Sequence, residues 1–153
     1  MNVEIEGVLP RPFGLSRARL AAAAGYFAER SGRRAGLVFR NVAVLLQDDA
    51  ESEEAHLAVM GVGGATDVIT QRFEPIPPEP PGVYGELYVN RDMAARVAPE
   101  IAARRSPGWT PADELLLYVA HGMDQLSGAD DSTPKGRAAM RRRELEWIKD
   151  FGR

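Results

Sequence analysis

The chain of 153 residues contains no cysteine, which excludes disulfides, thiolate metal sites and cysteine nucleophiles. Histidine is scarce as well: His56 and His121 are the only two, so a site built from three histidines is excluded. No apolar run approaches the ~20 residues that span a membrane. The first residues also lack the charged-then-apolar order of a secretion signal. We therefore expect a cytoplasmic protein with no membrane-embedded part.

The charge balance gives no general affinity for nucleic acid. Nineteen Lys and Arg residues against 22 Asp and Glu residues give a net charge of −3, so RNA or DNA binding would need a local basic patch. Hydrophobic content of 44% and charged content of 27% are ordinary for a globular protein. No repeat or linker divides the chain, and its length suits one hydrophobic core. We predict a single domain over residues 1–153.

Hydrophobic periodicity and turn residues predict the element order β-α-β-α-β-β-α-α-α. Only some strand connections are helical, which favours an α+β domain with a mixed sheet of about four strands over a doubly wound fold. A helix over 111–127 begins at Thr110 and carries an apolar stripe, so we expect it to be central. The predicted strands cover 2–8, 36–47, 66–73 and 83–89, and the other helices cover 17–30, 50–59, 92–105 and 134–151.

The segment from His121 to Asp131 has the layout of a metal site. His121 and Gln125 are four residues apart, so both lie on one face of the predicted helix. Gly128 can turn the chain after the helix, because glycine adopts positive φ at little cost. Asp130 and Asp131 then follow. The spacing is similar to that of zincins, in which two histidines at i and i+4 and a later residue share the metal.

Three motifs in a fixed order carry a wider resemblance. They are Thr66-Asp67-Val68-Ile69-Thr70-Gln71, then Gly85-Glu86-Leu87, and finally His121-Gly122-x-x-Gln125-x-x-Gly128-x-Asp130-Asp131. They resemble the motifs of the YbeY family of bacterial metal-dependent endoribonucleases, which act in ribosomal RNA maturation and ribosome quality control. The resemblance covers the chain from about Gly36 onward. It implies a zincin-like α+β fold in which the helix with His121 is central.

The resemblance also implies a set of metal ligands. Three histidines hold a zinc-like metal in the family, and His121, Gln125 and Asp131 occupy their positions in this chain. Asp124 is an alternative second donor, and Asp130 is either a donor or a hydrogen-bond acceptor for His121. Carboxylate and amide oxygens suit Mn²⁺ or Mg²⁺ better than Zn²⁺. The alternative is that no metal binds and that the acidic loop only caps the last helix.

Basic residues are the candidates for RNA contacts. The family has a functional arginine before its Thr-Asp-Val strand, and Met60 stands at that position, with Arg72 as one possible substitute. Arg137 and Arg141 on the last helix are candidates for contacts with RNA phosphates. The alternative is a solvated helix face with internal ion pairs. We expect His56 to be a partly exposed structural histidine.

The resemblance implies a hydrolase that cleaves RNA through a metal-activated water, with RNA or the ribosome as its partner. Two other functions stay open. One is a non-catalytic relative that binds RNA or the ribosome. The other is a hydrolase in which both the metal and the substrate have changed.

Overall fold

Four strands and five α-helices make up residues 1–152, the part of the chain that this computed structural model describes. A short 3₁₀ helix at Arg11–Phe13, which the sequence did not predict, precedes the first α-helix. The strands are β1 Asn2–Glu6, β2 Phe39–Gln47, β3 Val68–Phe73 and β4 Val83–Asn90. The helices are α1 Arg17–Ala35, α2 Asp49–Met60, α3 Arg91–Arg104, α4 Pro111–Leu126 and α5 Pro134–Phe151.

The sheet is mixed, and its strand order is β1-β2-β4-β3. Strands β1, β2 and β4 are parallel, whereas β3 is antiparallel to β4 at the edge. Helix α1 joins the first parallel pair, as a parallel connection requires. The predicted α+β class with a four-stranded mixed sheet is confirmed.

Helix α4 is the centre of the fold. It packs against α1, α3, α5 and the strands β3 and β4. Its apolar stripe is buried as the sequence predicted, and so is the face of α1 that carries Leu20, Ala24 and Phe27. No helix within residues 1–152 has the length and apolar character needed to cross a membrane. The stripe of α4 consists of Leu115, Val119, Met123 and Leu126.

Capping residues fix where the helices begin and end. Asp48 and Thr110 each start a helix with a reciprocal capping box, in which Glu51 and Asp113 complete the hydrogen bonds. Helix α1 runs five residues beyond its predicted end at Arg30 and ends at Ala35. The extension is stabilised because the Ser31 hydroxyl donates to the Met123 carbonyl oxygen, a contact that local sequence does not reveal.

A close approach between α4 and β4 places His121 near the sheet. A Cβ atom added at Gly122 would lie 2.8 Å from the Leu87 Cδ2 atom, closer than van der Waals contact allows. Glycine after His121 therefore lets α4 lie directly on β4. Both Leu87 and Gly122 are buried at this contact.

Candidate functional site

A cavity of about 350 Å³ opens beside His121. Its walls come from α2, from the start of β3, from α4 and from the loop that follows α4. The lining residues are His56, Met60, Thr66, Asp67, Val68, Ile69, Thr70, His121, Gln125 and Asp131. The first and last of the three sequence motifs thus contribute to a single cavity.

The structure brings together the three residues at the predicted ligand positions. The His121 Nε2 atom lies 3.8 Å from the Asp131 Oδ2 atom. The Gln125 Nε2 atom lies 3.4 Å from the same carboxylate oxygen, a long hydrogen bond. The side chain of Asp131 is 46% exposed and that of His121 is 22% exposed, so solvent and ligands can reach both.

The other ring nitrogen of His121 is held by a buried carboxylate. Its Nδ1 atom lies 3.0 Å from Glu144 Oε2 and 3.1 Å from Glu144 Oε1. Glu144 is fully buried. Because an ionised carboxylate can only accept, Nδ1 carries the hydrogen and donates it. In the neutral ring the lone pair is therefore on Nε2, the nitrogen on the side of Asp131.

His121 and Glu144 shift each other's pKa. Burial alone would lower the pKa of His121, but the hydrogen bond and negative charge of Glu144, together with the charge of Asp67, raise it above its usual value. Burial raises the pKa of Glu144; His121 opposes this, and the neighbouring Asp124 carboxylate reinforces it. Both groups therefore hold a proton more tightly than they would in water.

Asp124 belongs to a buried ion-pair network and not to the cavity. Its carboxylate is fully buried; Oδ2 accepts from Arg143 Nε at 2.9 Å, and Arg143 Nη2 lies 2.8 Å from the same oxygen. Arg34 Nε lies 3.3 Å from Oδ1, too poorly aligned to satisfy that oxygen with a hydrogen bond. Consecutive residues of α5, Arg143 and Glu144, thus hold Asp124 and His121 of α4. We call these four residues the α4–α5 clamp.

Replacing Glu144 with glutamine is expected to lower the pKa of His121. Glutamine keeps an oxygen that can accept from Nδ1, but it removes the negative charge that offsets the effect of burial. An NMR titration of the imidazole signals measures the change, and the His121→Ala variant assigns the signal. If the His121 pKa is the same in Glu144→Gln and in the unchanged chain, the carboxylate does not have this effect on the imidazole.

Asp130, Arg72, Arg137 and Arg141 lie outside the cavity. Asp130 is exposed, and its carboxylate accepts from the backbone N–H of Ser132 at 2.8 Å. The acceptor for His121 Nδ1 is thus Glu144. Arg137 donates to the carbonyl oxygen of Asp131 at 3.0 Å. Arg72 donates to the carbonyl oxygen of Leu126 at 3.2 Å and does not line the cavity.

His56 lies closer to the site than its sequence context suggested. It lines the cavity together with His121, and its Nδ1 atom lies 2.9 Å from the carbonyl oxygen of Gly64. Since a carbonyl only accepts, Nδ1 is the donor in this contact. Met60 also lines the cavity and is 60% exposed, and no Lys or Arg of residues 1–152 lines it.

The donor set fits a divalent cation only in part. Two donors that share a cation at about 2.0–2.2 Å each lie about 3–4 Å apart, and the 3.8 Å between His121 Nε2 and Asp131 Oδ2 is within that range. The orientation of His121 by a buried carboxylate is also typical of metal-binding histidine. Within residues 1–152, however, no three His, Asp or Glu side chains are arranged so that they could hold a metal ion together, so the third protein donor would be the Gln125 amide oxygen.

Glu144 is the site residue that sequence reasoning missed. It is 23 positions from His121, so no local spacing relates the two. One signal was present: Met140, Glu144 and Trp147 lie at i, i+4 and i+7, which places the acid on the buried face of α5. A buried acid needs a partner, so an acid on an apolar helix face points to a contact elsewhere in the chain.

Comparisons with known proteins agree with the motifs. A family model described as Endoribonuclease YbeY matches residues 18–152. Endoribonuclease YbeY of Rhodopirellula baltica is 36% identical over 138 residues, which are 90% of this chain and 63% of that protein. The chain thus spans less than two thirds of that relative. Endoribonuclease YbeY of Anaeromyxobacter sp. is 30% identical over 155 residues, which cover 99% of this chain and 73% of that protein.

One solved structure supports the fold. The solution structure of TM1509 from Thermotoga maritima matches with a TM-score of 0.60 at 22% sequence identity. The match covers 97% of this chain and 89% of that chain. At this level of identity the likeness concerns the arrangement of strands and helices alone.

Proposed function

The chain belongs to the endoribonuclease YbeY family, and from this membership we propose that it cleaves RNA at the cavity beside His121 with the help of a divalent cation. The observation that carries the proposal is the orientation of His121. A buried carboxylate holds Nδ1, and Nε2 is left within 3.8 Å of the Asp131 carboxylate beside an open cavity. His121 thus turns a ring nitrogen that can bind a cation toward a carboxylate in the same cavity.

Three residues of the cavity would hold the cation. We propose His121 Nε2 and the Asp131 carboxylate as the main protein donors, with the Gln125 amide oxygen as a weaker third. This set is harder than three histidines, so it favours Mn²⁺ or Mg²⁺ over Zn²⁺. A cation bound there would supply an activated water and would stabilise charge on the phosphodiester.

The α4–α5 clamp prepares His121 for this role. Glu144 fixes the orientation of the ring and its neutral tautomer, which spares the cost of ordering the side chain when a ligand arrives. Arg143 ties the same turn of α5 to Asp124 of α4. The Asp67 carboxylate accepts from the backbone N–H of Val68 at 2.7 Å, and this bond holds a negative charge at the cavity wall. That charge favours a cation in the cavity and disfavours a bare phosphate.

A second candidate function is RNA binding without cleavage. The observation that favours it is the missing third charged or imidazole donor within residues 1–152. Met60, at the position of the family arginine, removes a further group that would act on the phosphate. Such a protein would keep the affinity for ribosomal RNA or the ribosome and would show no metal-dependent turnover.

A cleavage assay separates the two candidates. Purified protein is incubated with labelled ribosomal RNA fragments and Mn²⁺, Mg²⁺ or Zn²⁺, and a chelator is added to a parallel sample. We expect cleavage with Mn²⁺ that the chelator stops and that His121→Ala and Asp131→Ala both reduce to background. Asp130→Ala is the matched control, since it removes a nearby carboxylate outside the cavity. Cleavage that survives in His121→Ala would refute the proposal.

A further inference from the structure

A second cavity, of about 490 Å³, adjoins the His121 cavity. Thr66 and Asp67 line both, so this dipeptide forms the wall between them. The other walls of the second cavity come from α3, α4 and α5. Its volume suits one nucleotide, and neither the motifs nor the family arginine position account for it.

The rim of the second cavity carries three arginines. Arg104 and Arg105 come from the end of α3, and Arg141 comes from α5. All three are exposed, and none of them forms an ion pair with a carboxylate of residues 1–152. Guanidinium groups without a protein partner are ready donors for phosphate oxygens, which they bind in bidentate geometry.

The acidic residues that line the same cavity do not form ion pairs with the three arginines. Glu114 is 4% exposed and accepts from the Trp109 indole N–H at 2.9 Å. Asp67 is held by the backbone N–H of Val68. Glu100 is exposed on α3 and forms no ion pair within the described residues. The acids therefore balance the formal charge, but none of them is paired with the three arginines at close range.

The floor of the second cavity is apolar. Met93, Val97 and Ile101 follow one another at intervals of four on α3, so they form one face of the helix. Tyr118 of α4 also lines the cavity, but it is 5% exposed, so the apolar surface comes mainly from α3. An apolar surface beside arginines can take the face of an unpaired base while the guanidinium groups bind its phosphate.

The two cavities are close enough to hold one strand. Tyr118 and His121 are three residues apart on α4 and thus lie on the same side of the helix. Thr66 and Asp67 line both cavities, so the two are separated by this dipeptide. A strand whose phosphate lies at His121 can therefore extend across Thr66 and Asp67 into the second cavity.

We propose that the second cavity binds the nucleotide next to the cleaved bond, with its base on the apolar floor and its phosphate at Arg141, Arg104 and Arg105. The inference rests on the proposed function and names the part of the RNA that this surface takes. These arginines would also supply the positive charge that an arginine gives in the family and that Met60 lacks.

The test compares two neighbouring arginines of α5. Arg141 lines the cavity, whereas Arg142 is exposed and does not. Binding of a fluorescein-labelled RNA hexamer is measured by anisotropy in the absence of divalent cations, at several salt concentrations. We expect Arg141→Ala to weaken binding about 10-fold, since a charged hydrogen bond is lost. We also expect it to reduce the slope of log K against log salt by about 0.7, and Arg142→Ala to leave both unchanged.

A second pair tests the rim and the floor together. Arg104→Ala/Arg105→Ala should weaken binding more than Arg142→Ala/Lys149→Ala, which removes the same charge from α5. A hexamer with one abasic position, moved along the strand, should lose affinity at one position in the unchanged chain. That position-specific loss should disappear in Arg104→Ala/Arg105→Ala/Arg141→Ala if the cavity no longer holds the nucleotide.

The outcomes separate this inference from the proposed function. If the unchanged chain cleaves RNA in a His121-dependent manner and Arg141→Ala binds like Arg142→Ala, the second cavity is no subsite and the function stands. If the unchanged chain neither binds nor cleaves RNA, the proposed function fails and the inference fails with it. Weaker binding by Arg141→Ala, with binding by Arg142→Ala unchanged, supports the inference.

Discussion

Zinc is expected to bind the Gln125→His/Asp131→His variant at least about 100-fold more tightly than the unchanged chain. Both positions line the same cavity as His121, so the variant would present three imidazole nitrogens to one point. Zn²⁺ prefers imidazole to an amide oxygen. Changes around a metal site that leave its direct ligands in place already alter affinity about 10- to 100-fold, so the exchange of two direct donors should do more.

Competition with a chromophoric chelator measures the zinc affinity of both proteins. Asp130→His is the matched control, because it adds a histidine in the same loop but outside the cavity. A further change of His121 to alanine in the double variant should cancel most of the gain. Equal zinc affinity in the double variant and in Asp130→His would show that the three positions do not share one point.

The Arg143→Leu variant is expected to lose about 3–5 kcal/mol of unfolding free energy. Asp124 is fully buried, and Arg143 supplies both its hydrogen bond at 2.9 Å and its nearest ion pair at 2.8 Å. Without Arg143, the cation that remains beside this carboxylate within residues 1–152 is Arg34 at 3.3 Å. An incompletely compensated buried charge is among the most destabilising consequences of a single substitution. Chemical denaturation followed by circular dichroism gives the value.

The neighbouring Arg142 is the control for this change. It is exposed, and Arg142→Leu should alter the unfolding free energy by no more than about 0.5 kcal/mol. Adding Asp124→Asn to Arg143→Leu should recover part of the loss, because the uncompensated charge is removed. A loss in Arg143→Leu as small as that in Arg142→Leu would mean that the α4–α5 clamp contributes little to the fold.

Local sequence signals were sufficient to predict the order of the strands and helices and the buried face of α4. The Thr110 capping box starts α4 where it was expected, and the stripe from Leu115 to Leu126 is buried as its spacing predicted. Both signals work because they depend on residues within one or two helical turns. The proximity of His121, Gln125 and the acidic loop also followed from spacing, because one helix turn and one short loop hold them. The choice of Asp131 over Asp130 came from the family resemblance.

The contacts between α4 and α5 could not be predicted in this way. Asp124 was a candidate ligand on the basis of its i+3 spacing from His121, yet Arg34 and Arg143 hold it on the buried side of the helix. Glu144 was not a candidate at all. Which residues meet across two helices depends on how the helices cross, and that crossing is set by the whole core.

The same limit applies to the second cavity. Arg141 was recognised as a possible RNA contact because it lies in a basic cluster on the last helix. Arg104 and Arg105 were not singled out, since nothing in the sequence shows that the end of α3 lies beside α5. The apolar floor on α3 was likewise indistinguishable from an ordinary core face. Convergence of three helices on one cavity is a tertiary property.

Calorimetric titration with Mn²⁺ and Zn²⁺ tests the central claim, that His121 and Asp131 hold a divalent cation. The account predicts one site in the unchanged chain, weaker binding in Asp131→Ala, and no binding in His121→Ala, with Asp130→Ala unchanged. Circular dichroism of each variant shows whether it remains folded. Absence of binding in the unchanged chain, or equal binding in the unchanged chain and His121→Ala, would contradict the claim.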